Sequence, residues 1–396
     1  MKQTISIQKF ILTVIILIIC TSVVYAQPVK INNGDNEMSI GGIFSSYLNI
    51  RQRDPGHDNL DKNVFKLKDA RLDIQGKVGD DYDYHLQVNL ASISATTIDP
   101  ESPALYDAYF TYKGWKAFDI RMGYSKVPYS YASLIESDQT PYWEHAEFAK
   151  GDLFSRRDIG IRLSRSFWNE RIKAYAGMYT GVGEVILQNV DNDPSGAFEY
   201  IGRVEISYPE KCQYEDIDMN VSQTPNFSLG LNGRYSNRTL PAGKTFIPFE
   251  GGNYPDSIKV VNGEKYILGM DASVKYKGFM LQYEGHQMTG KPQSPNDPQL
   301  EGKGNLTNYF RAGGWLVQAS YFCKPIKSVF AVRYDEMNEN DLAPGIGKHL
   351  TVTYSYQVKG LNSMIKAEYF RNLQDESIDV NDWQNQYRLG WQFIID

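Results

Sequence analysis

The chain has 396 residues, a formal net charge of −6 at pH 7, and 28 tyrosines, 18 phenylalanines and 6 tryptophans. An acidic chain lacks the excess of lysine and arginine that non-specific nucleic-acid binding requires, so we expect no nucleic-acid partner. No long apolar run follows the first 26 residues, which argues against membrane-spanning helices.

The first 26 residues have the pattern of a secretory signal peptide. Lys2 and Lys9 supply the charged start, residues 10–20 form a short apolar run, and Ala26 ends a plausible cleavage site. The apolar run is too short to span a membrane with confidence. We therefore predict export by a cleaved signal peptide, followed by a short N-terminal periplasmic segment over residues 27–38.

The chain has three cysteines, at positions 20, 212 and 323. Cys20 could carry a lipid, but Ile19 precedes it where that signal requires a small side chain, so we favour cleavage after Ala26, which removes Cys20. Cys212 and Cys323 lie far apart along the chain. The sequence alone leaves open whether they form a disulfide.

From residue 39 onward, apolar and polar residues alternate with a period of two. Over residues 82–90, tyrosine and aliphatic side chains share one face, whereas aspartate, histidine, glutamine and asparagine share the other. This pattern is typical of outer-membrane β-barrels, in which one face contacts lipid and the other contacts water. It predicts about sixteen strands, near residues 39–50, 66–78, 81–92, 105–113, 116–125, 157–166, 171–180, 197–208, 226–236, 266–277, 278–287, 312–323, 328–336, 347–358, 362–371 and 384–395.

The connections between these strands alternate between short and long, with one exception at residues 209–225, which are long where a short turn is due. Bacterial barrels place short turns in the periplasm and long loops outside the cell. We therefore predict an all-β, transmembrane antiparallel β-barrel over residues 39–396. A soluble β-sandwich would also alternate, but it would not require aromatic outer faces or this asymmetry of loop lengths.

Several stretches give the chain a resemblance to the phosphate-selective porin O and P family. They are residues 70–77 (ARLDIQGK), 106–112 (YDAYFTY), 123–129 (GYSKVPY) and 156–161 (RRDIGI). The resemblance is strong over residues 40–180. It implies a porin of sixteen strands that is usually a homotrimer, with a loop at about residues 126–154 that folds into the lumen. It also implies passage of phosphate or other anions along arginines and lysines of the pore.

Basic residues on the polar strand faces are the candidate anion-binding groups. A guanidinium carries a permanent charge and offers paired donors that suit phosphate oxygens. Lys126 stands at the base of the presumed inward loop and is the leading candidate. The others are Arg71, Arg121, Arg162, Arg203, Arg234, Arg333 and Arg388. The alternative for each arginine, which we favour, is an ion pair with a carboxylate on a neighbouring strand.

Signals for catalysis are weak. The chain has five histidines, and it contains neither a Gly-x-Ser-x-Gly elbow nor a His-Glu-x-x-His helix. We predict no catalytic residues, no metal site and no cofactor. His85 is better explained as the partner of a cross-strand carboxylate such as Asp73.

The sequence therefore predicts a porin of the Gram-negative outer membrane, through which small hydrophilic solutes diffuse passively, with anions such as phosphate favoured. Its expected partners are small inorganic or organic ions and outer-membrane lipid. The alternatives are a general porin without phosphate selectivity, a barrel hydrolase, and a surface adhesin that uses the long loops near residues 237–265 and 288–311.

Overall fold

A computed structural model describes most of the chain after the predicted signal peptide. The signal peptide itself, over residues 1–26, lies outside the described residues. So do parts of several predicted long loops. The described ranges are 28–52, 62–92, 104–136, 138–150, 153–183, 195–242, 260–302, 307–342, 346–373 and 384–395.

Seventeen strands and a few short helical turns make up the described chain. The strands are β1 (Val29–Asn33), β2 (Asn36–Gln52), β3 (Lys62–Val78), β4 (Tyr82–Asn89), β5 (Leu105–Tyr112), β6 (Asp119–Lys126), β7 (Arg157–Phe167), β8 (Ile172–Tyr179), β9 (Glu199–Tyr208), β10 (Asn226–Asn237), β11 (Gly263–Tyr276), β12 (Phe279–Pro292), β13 (Phe310–Cys323), β14 (Ser328–Asn338), β15 (Gly347–Lys359), β16 (Ser363–Asn372) and β17 (Asn385–Ile395). The helical turns are α1 (Tyr131–Leu134) and the 3₁₀ turns Leu90–Ser92, Glu147–Ala149, Pro298–Leu300 and Lys324–Ile326. In the part of the chain that the structure describes, no helix combines the length and apolarity needed to cross a membrane.

The strands β2–β17 form a closed antiparallel ring of sixteen. Each strand pairs with the next along the chain, and β17 closes the ring on β2, where Phe393 faces Phe44 and Tyr387 faces Ile50. Closure leaves no open sheet edge, as a structure that spans lipid requires. The predicted sixteen-stranded barrel is confirmed. A ring of this size leaves space inside that the wall side chains alone do not fill.

Strand β1 lies outside the ring. It pairs antiparallel with the first residues of β2, with Val29 opposite Ile40, and β17 takes over the same edge of β2 from Gly42 onward. Sequence alternation did not identify this hairpin, because a five-residue strand is too short to show a period. Its location in the periplasm stays a prediction.

The two strand faces separate as the alternation predicts. In β9, Tyr200 and Val204 are 53% and 55% exposed, whereas the alternating Glu199 and Arg203 are 0% and 2% exposed. The apolar residues thus cover the outside of the barrel, where lipid replaces water as the surrounding solvent, and the polar residues point inward.

The connections also follow the predicted pattern of lengths. Short turns join β3 to β4 and β11 to β12, each with a residue of positive φ, Gly79 (φ 59°) and Gly278 (φ 86°). Residues 209–225, the connection that is long where a short turn is due, lie at the rim where β2 starts and β17 ends. This rim is called the periplasmic rim below. Cys212 and Cys323 are both free thiols, so the structure contains no disulfide between them.

Candidate pore and anion site

The loop that follows β6, described over residues 127–136, 138–150 and 153–156, lies across the interior of the barrel. Its backbone amides donate hydrogen bonds to inward-facing carboxylates of three alternate strands. The pairs are Ala132 N to Glu284 Oε2 of β12 at 2.9 Å, Glu147 N to Asp335 Oδ2 of β14 at 3.3 Å, and Trp143 N to Glu368 Oε2 of β16 at 2.8 Å. Charged acceptors make such hydrogen bonds stronger than neutral ones, so these three are strong contacts between the wall and the loop. Lys366, Arg333 and Arg234 of the wall add hydrogen bonds to carbonyl oxygens of the loop.

An aromatic cluster packs the same loop against the wall. The rings of Tyr129, Phe148 and Phe154 lie 5.1, 5.3 and 5.1 Å from the ring of His286 on β12. The three aromatic side chains are fully buried. Beneath them the inner face carries apolar residues such as Leu316 and Met288, where the sequence predicts only polar ones. These exceptions to the alternation occur where the wall packs against the loop and not against water.

Lys126 takes part in fixing the start of this loop. Its Nζ donates to the carbonyl oxygens of Leu134 and Ile135 at 3.1 and 3.0 Å, and it lies 2.6 Å from Glu136 Oε1. Burial acts to raise the pKa of Glu136, but the charges of Lys126 and Arg157 outweigh it and lower the pKa to about 2. The charge of Lys126 is thus balanced by Glu136 of the loop that it precedes. Its role in anion binding stays a prediction.

Five of the seven candidate arginines form ion pairs within the wall. All five are buried, and each has a carboxylate on its own or a nearby strand. The pairs are Arg71–Asp69 at 2.6 Å, Arg203–Asp271 at 2.5 Å with Glu205 at 3.0 Å, Arg234–Glu199 at 2.9 Å, Arg333–Asp335 at 3.3 Å and Arg388–Glu368 at 2.5 Å. For these five, the contacts are those of the wall-pairing alternative.

Arg121 and Arg162 differ from the other five. They face each other directly across β6 and β7. Arg121 donates from Nε to Thr111 Oγ1 at 3.0 Å and lies 3.7 Å above the ring centre of Tyr109, and Arg162 lies 5.6 Å above that of Tyr175. Among the described residues, neither guanidinium forms an ion pair with a carboxylate, and the buried Nε of Arg162 has no hydrogen-bond partner. The pair therefore places two positive charges side by side on the inner face of the wall.

The interior is more open along β3–β8 than elsewhere. Inward side chains of β9 are buried throughout, whereas several on this wall, Asp73, His85, Arg121 and Tyr175 among them, are partly exposed. Other inward side chains of the same wall, such as Arg71, Asp107 and Arg162, are buried. A cavity of about 410 Å³ near the periplasmic rim is lined by residues that include His85, Tyr109 and Arg121. This cavity thus reaches Arg121, one member of the arginine pair.

His85 has the partner that the sequence predicts. Its Nε2 lies 2.9 Å from Asp73 Oδ2, and its Nδ1 lies 3.2 Å from the hydroxyl of Tyr109. Across the described ranges, no group of three or more histidine, cysteine, aspartate or glutamate side chains is placed to hold a metal ion.

The chain is similar to one known protein family over part of its length. The model of the family described as phosphate-selective porin O and P matches residues 41–209. No curated protein sequence matches the chain significantly.

Solved porin structures are similar over nearly the whole chain. An anion-selective porin from Comamonas acidovorans has a TM-score of 0.56 at 11% identity, with 91% of this chain and 100% of that chain covered. The outer membrane channel DcaP of Acinetobacter baumannii has a TM-score of 0.58 at 12% identity, with 92% and 99% covered. The trimer form of OmpT from Vibrio cholerae has a TM-score of 0.54 at 9% identity, with 91% and 99% covered. At these identities the likeness shows the fold alone.

The matched family and the closed barrel together indicate a protein of the Gram-negative outer membrane, and they favour a channel over an enzyme. The resemblance to the phosphate-selective porin O and P family is thus confirmed for residues 41–209, within a barrel that has the porin fold.

Proposed function

We propose that the barrel is a passive channel for small hydrophilic solutes and that it favours anions weakly. The observation that carries the anion preference is the cross-strand pair Arg121 and Arg162, in which neither guanidinium forms an ion pair with a carboxylate among the described residues and Arg121 lines the cavity. Two like charges directly opposite each other on neighbouring strands destabilise a sheet. An anion that passes between them would relieve this repulsion.

The chemistry of the pair suits an oxyanion. Each guanidinium presents planar N–H donors, and phosphate or carboxylate oxygens accept such donors in pairs. Tyr109 and Tyr175 contact the guanidinium groups from one side, which limits their freedom. The paired arginines of the wall contribute little, because each is neutralised locally. The preference should therefore be weak, in keeping with the acidic chain as a whole.

The loop over residues 126–154 would act as the constriction. Its hydrogen bonds to Glu284, Asp335 and Glu368 keep it against the wall opposite the arginine pair, which supports the predicted inward fold. A constriction lined by charge on one side is the arrangement by which porins select among ions.

Reversal potentials in planar bilayers test the proposal. In a KCl gradient the wild-type channel should show anion preference, and Arg121→Gln with Arg162→Gln should reduce it, each variant alone having a smaller effect. Arg165→Gln is the matched control, because it removes the same charge from β7 at a position where the guanidinium contacts the carbonyl oxygen of Lys116 at 2.8 Å. A cation-selective wild type, or a double variant with unchanged selectivity, would leave a general porin without an anion site.

We also propose that the protein is a homotrimer. The support is the shared fold with the trimer form of OmpT from Vibrio cholerae and the trimeric assembly that the family resemblance implies. Light scattering in mild detergent should give three times the protomer mass, and a mass of one protomer would contradict the proposal.

A further inference from the structure

Residues 209–225, called the rim segment here, are the one connection at the periplasmic rim that is long instead of short. Tyr208 of β9 and Phe227 of β10 already face each other, so these strands could be joined by a two-residue turn. The segment is nevertheless well packed. Cys212, Asp216, Ile217, Asp218 and Ser222 are all buried. A surface turn would expose such residues, so the rim segment must lie against other parts of the protein.

The start of the rim segment rests on β8 and β9. Lys173 Nζ donates to the carbonyl oxygen of Cys212 at 3.2 Å, and the hydroxyl of Tyr214 donates to Glu205 Oε1 at 2.5 Å. The hydroxyl of Tyr175 lies 3.3 Å from that of Tyr214. These wall residues belong to the inner face, so the rim segment enters the lumen.

The middle of the rim segment reaches the far wall. Gln318 Nε2 donates to Asp216 Oδ1 at 2.8 Å, and Ser320 Oγ donates to the carbonyl oxygen of Asp216 at 2.6 Å, both from β13. Ile217 packs with Phe322 of β13 and Val329 of β14. Gln357 Nε2 of β15 donates to the sulfur of Met219 at 2.9 Å. The contacts therefore extend from β8 to β15, which is half of the ring.

The end of the rim segment is fixed by Asp218. Its carboxylate accepts hydrogen bonds from the backbone amide of Ser222 at 2.9 Å and from that of Gly278 at 2.8 Å. The carbonyl oxygen of Ser222 in turn accepts from the amide of Lys277 at 2.8 Å. A buried carboxylate with amide donors holds a loop firmly, because its removal would leave those donors unpaired.

The rim segment also contacts the loop that crosses the lumen. The hydroxyl of Tyr131 donates to the carbonyl oxygen of Glu215 at 2.7 Å and accepts from the amide of Glu215 at 2.6 Å. The rings of Tyr131 and Tyr214 lie 5.5 Å apart, edge to face. Glu215 is held in place by Lys275 at 3.2 Å. Tyr131 is thus one contact between the two elements inside the barrel, and Thr140 of the crossing loop forms another with Asp216 of the rim segment.

We propose that the rim segment is a second constriction element, which closes the β8–β15 side of the periplasmic exit and positions the crossing loop through Tyr131. Solutes are then confined to the passage along β3–β8, beside Arg121 and Arg162. This inference rests on the proposed channel function, and it assigns to the rim segment a role in pore width and in the stability of the open state.

Two variants test the inference in planar bilayers. The first replaces residues 209–226 by Asn-Gly, which joins Tyr208 to Phe227 as a two-residue hairpin. Its single-channel conductance should rise roughly twofold, because half of the lumen wall is uncovered at the exit. The second is Tyr131→Phe, which removes both hydrogen bonds to Glu215 and should make the open-channel current fluctuate more. Tyr369→Phe, which removes one hydroxyl contact to Asn385 at 2.8 Å, is the matched control and should behave as wild type.

The outcomes separate this inference from the channel proposal. A conducting wild type whose two variants match it in both conductance and current noise would overturn the role of the rim segment and leave the channel intact. If the shortened variant fails to fold, the comparison of Tyr131→Phe with Tyr369→Phe decides alone. A silent wild type with a conducting shortened variant would support the rim segment as a closing element and contradict the proposal of an open channel.

Discussion

Arg203 and Arg121 are both inward-facing arginines of the barrel wall, yet their surroundings are opposite. Arg203 lies between Asp271 and Glu205 and is 2% exposed, whereas Arg121 has only Thr111 and Tyr109 as close partners in the described structure. A buried charge with its partners holds the wall together. Under the proposed function, a charge that lines the cavity without an ion-pair partner is the one that would meet a solute.

The difference between the two arginines gives a prediction on stability. Arg203→Gln leaves two buried carboxylates without their cation, so it should lower the free energy of unfolding by about 3–5 kcal/mol. The free energy of unfolding can be measured by urea titration of the barrel in detergent micelles. The folded fraction is read from the faster migration of the unheated barrel on gels. Arg121→Gln is the comparison and should change stability little. Equal stability of the two variants would contradict the assignment of Arg203 to the wall.

The sequence could identify all seven arginines as inward-facing, because the period of two decides which face each occupies. It could not separate Arg121 and Arg162 from the rest. That distinction depends on the register between strands, which places Arg162 opposite Arg121 but places Asp271 within reach of Arg203. Register between β10 and β11 is set across a long loop that carries no turn signal for it.

At the scale of elements, the crossing loop is the constriction on which the proposed selectivity depends. Its inward position depends on carboxylates such as Glu284, whose Oε2 accepts from the amide of Ala132 and whose Oε1 lies 2.8 Å from His286 Nε2. The long loop could be predicted from the spacing between β6 and β7. Its docking positions could not, since they involve strands more than a hundred residues away.

Glu284→Gln should loosen this loop. The neutral amide has one acceptor oxygen in place of two and carries no charge, so it holds the Ala132 amide and His286 more weakly, at a cost of about 1–3 kcal/mol. We expect a larger and noisier single-channel conductance than that of wild type. Glu264→Gln is the matched control, because that carboxylate pairs with Lys291 in an exposed position at 3.0 Å. A conductance trace identical to wild type would show that Glu284 does not hold the loop.

At the scale of the whole molecule, the apolar outer face of the barrel explains why the sixteen strands of the ring could be predicted from the sequence. Outward-facing apolar residues such as Leu231 and Leu268 recur around the ring, whereas the inner faces depart from the alternation where the crossing loop packs on them, as at Leu316. Because every strand of the ring must present apolar side chains to lipid, apolar residues at every second position mark the strands in the sequence. The rim segment and β1 are not strands of the closed ring, so the alternation does not place them. The sequence shows that residues 209–225 are unusually long for their side of the barrel, but it does not show that they pack inside it.

The central claim is that an aqueous passage runs through the barrel along β3–β8. Single-channel recording of the purified protein in planar lipid bilayers tests it most directly. We predict stable, ohmic open-channel current in symmetric KCl at moderate voltage. A correctly folded barrel that inserts into the bilayer and carries no current at any voltage would contradict the claim.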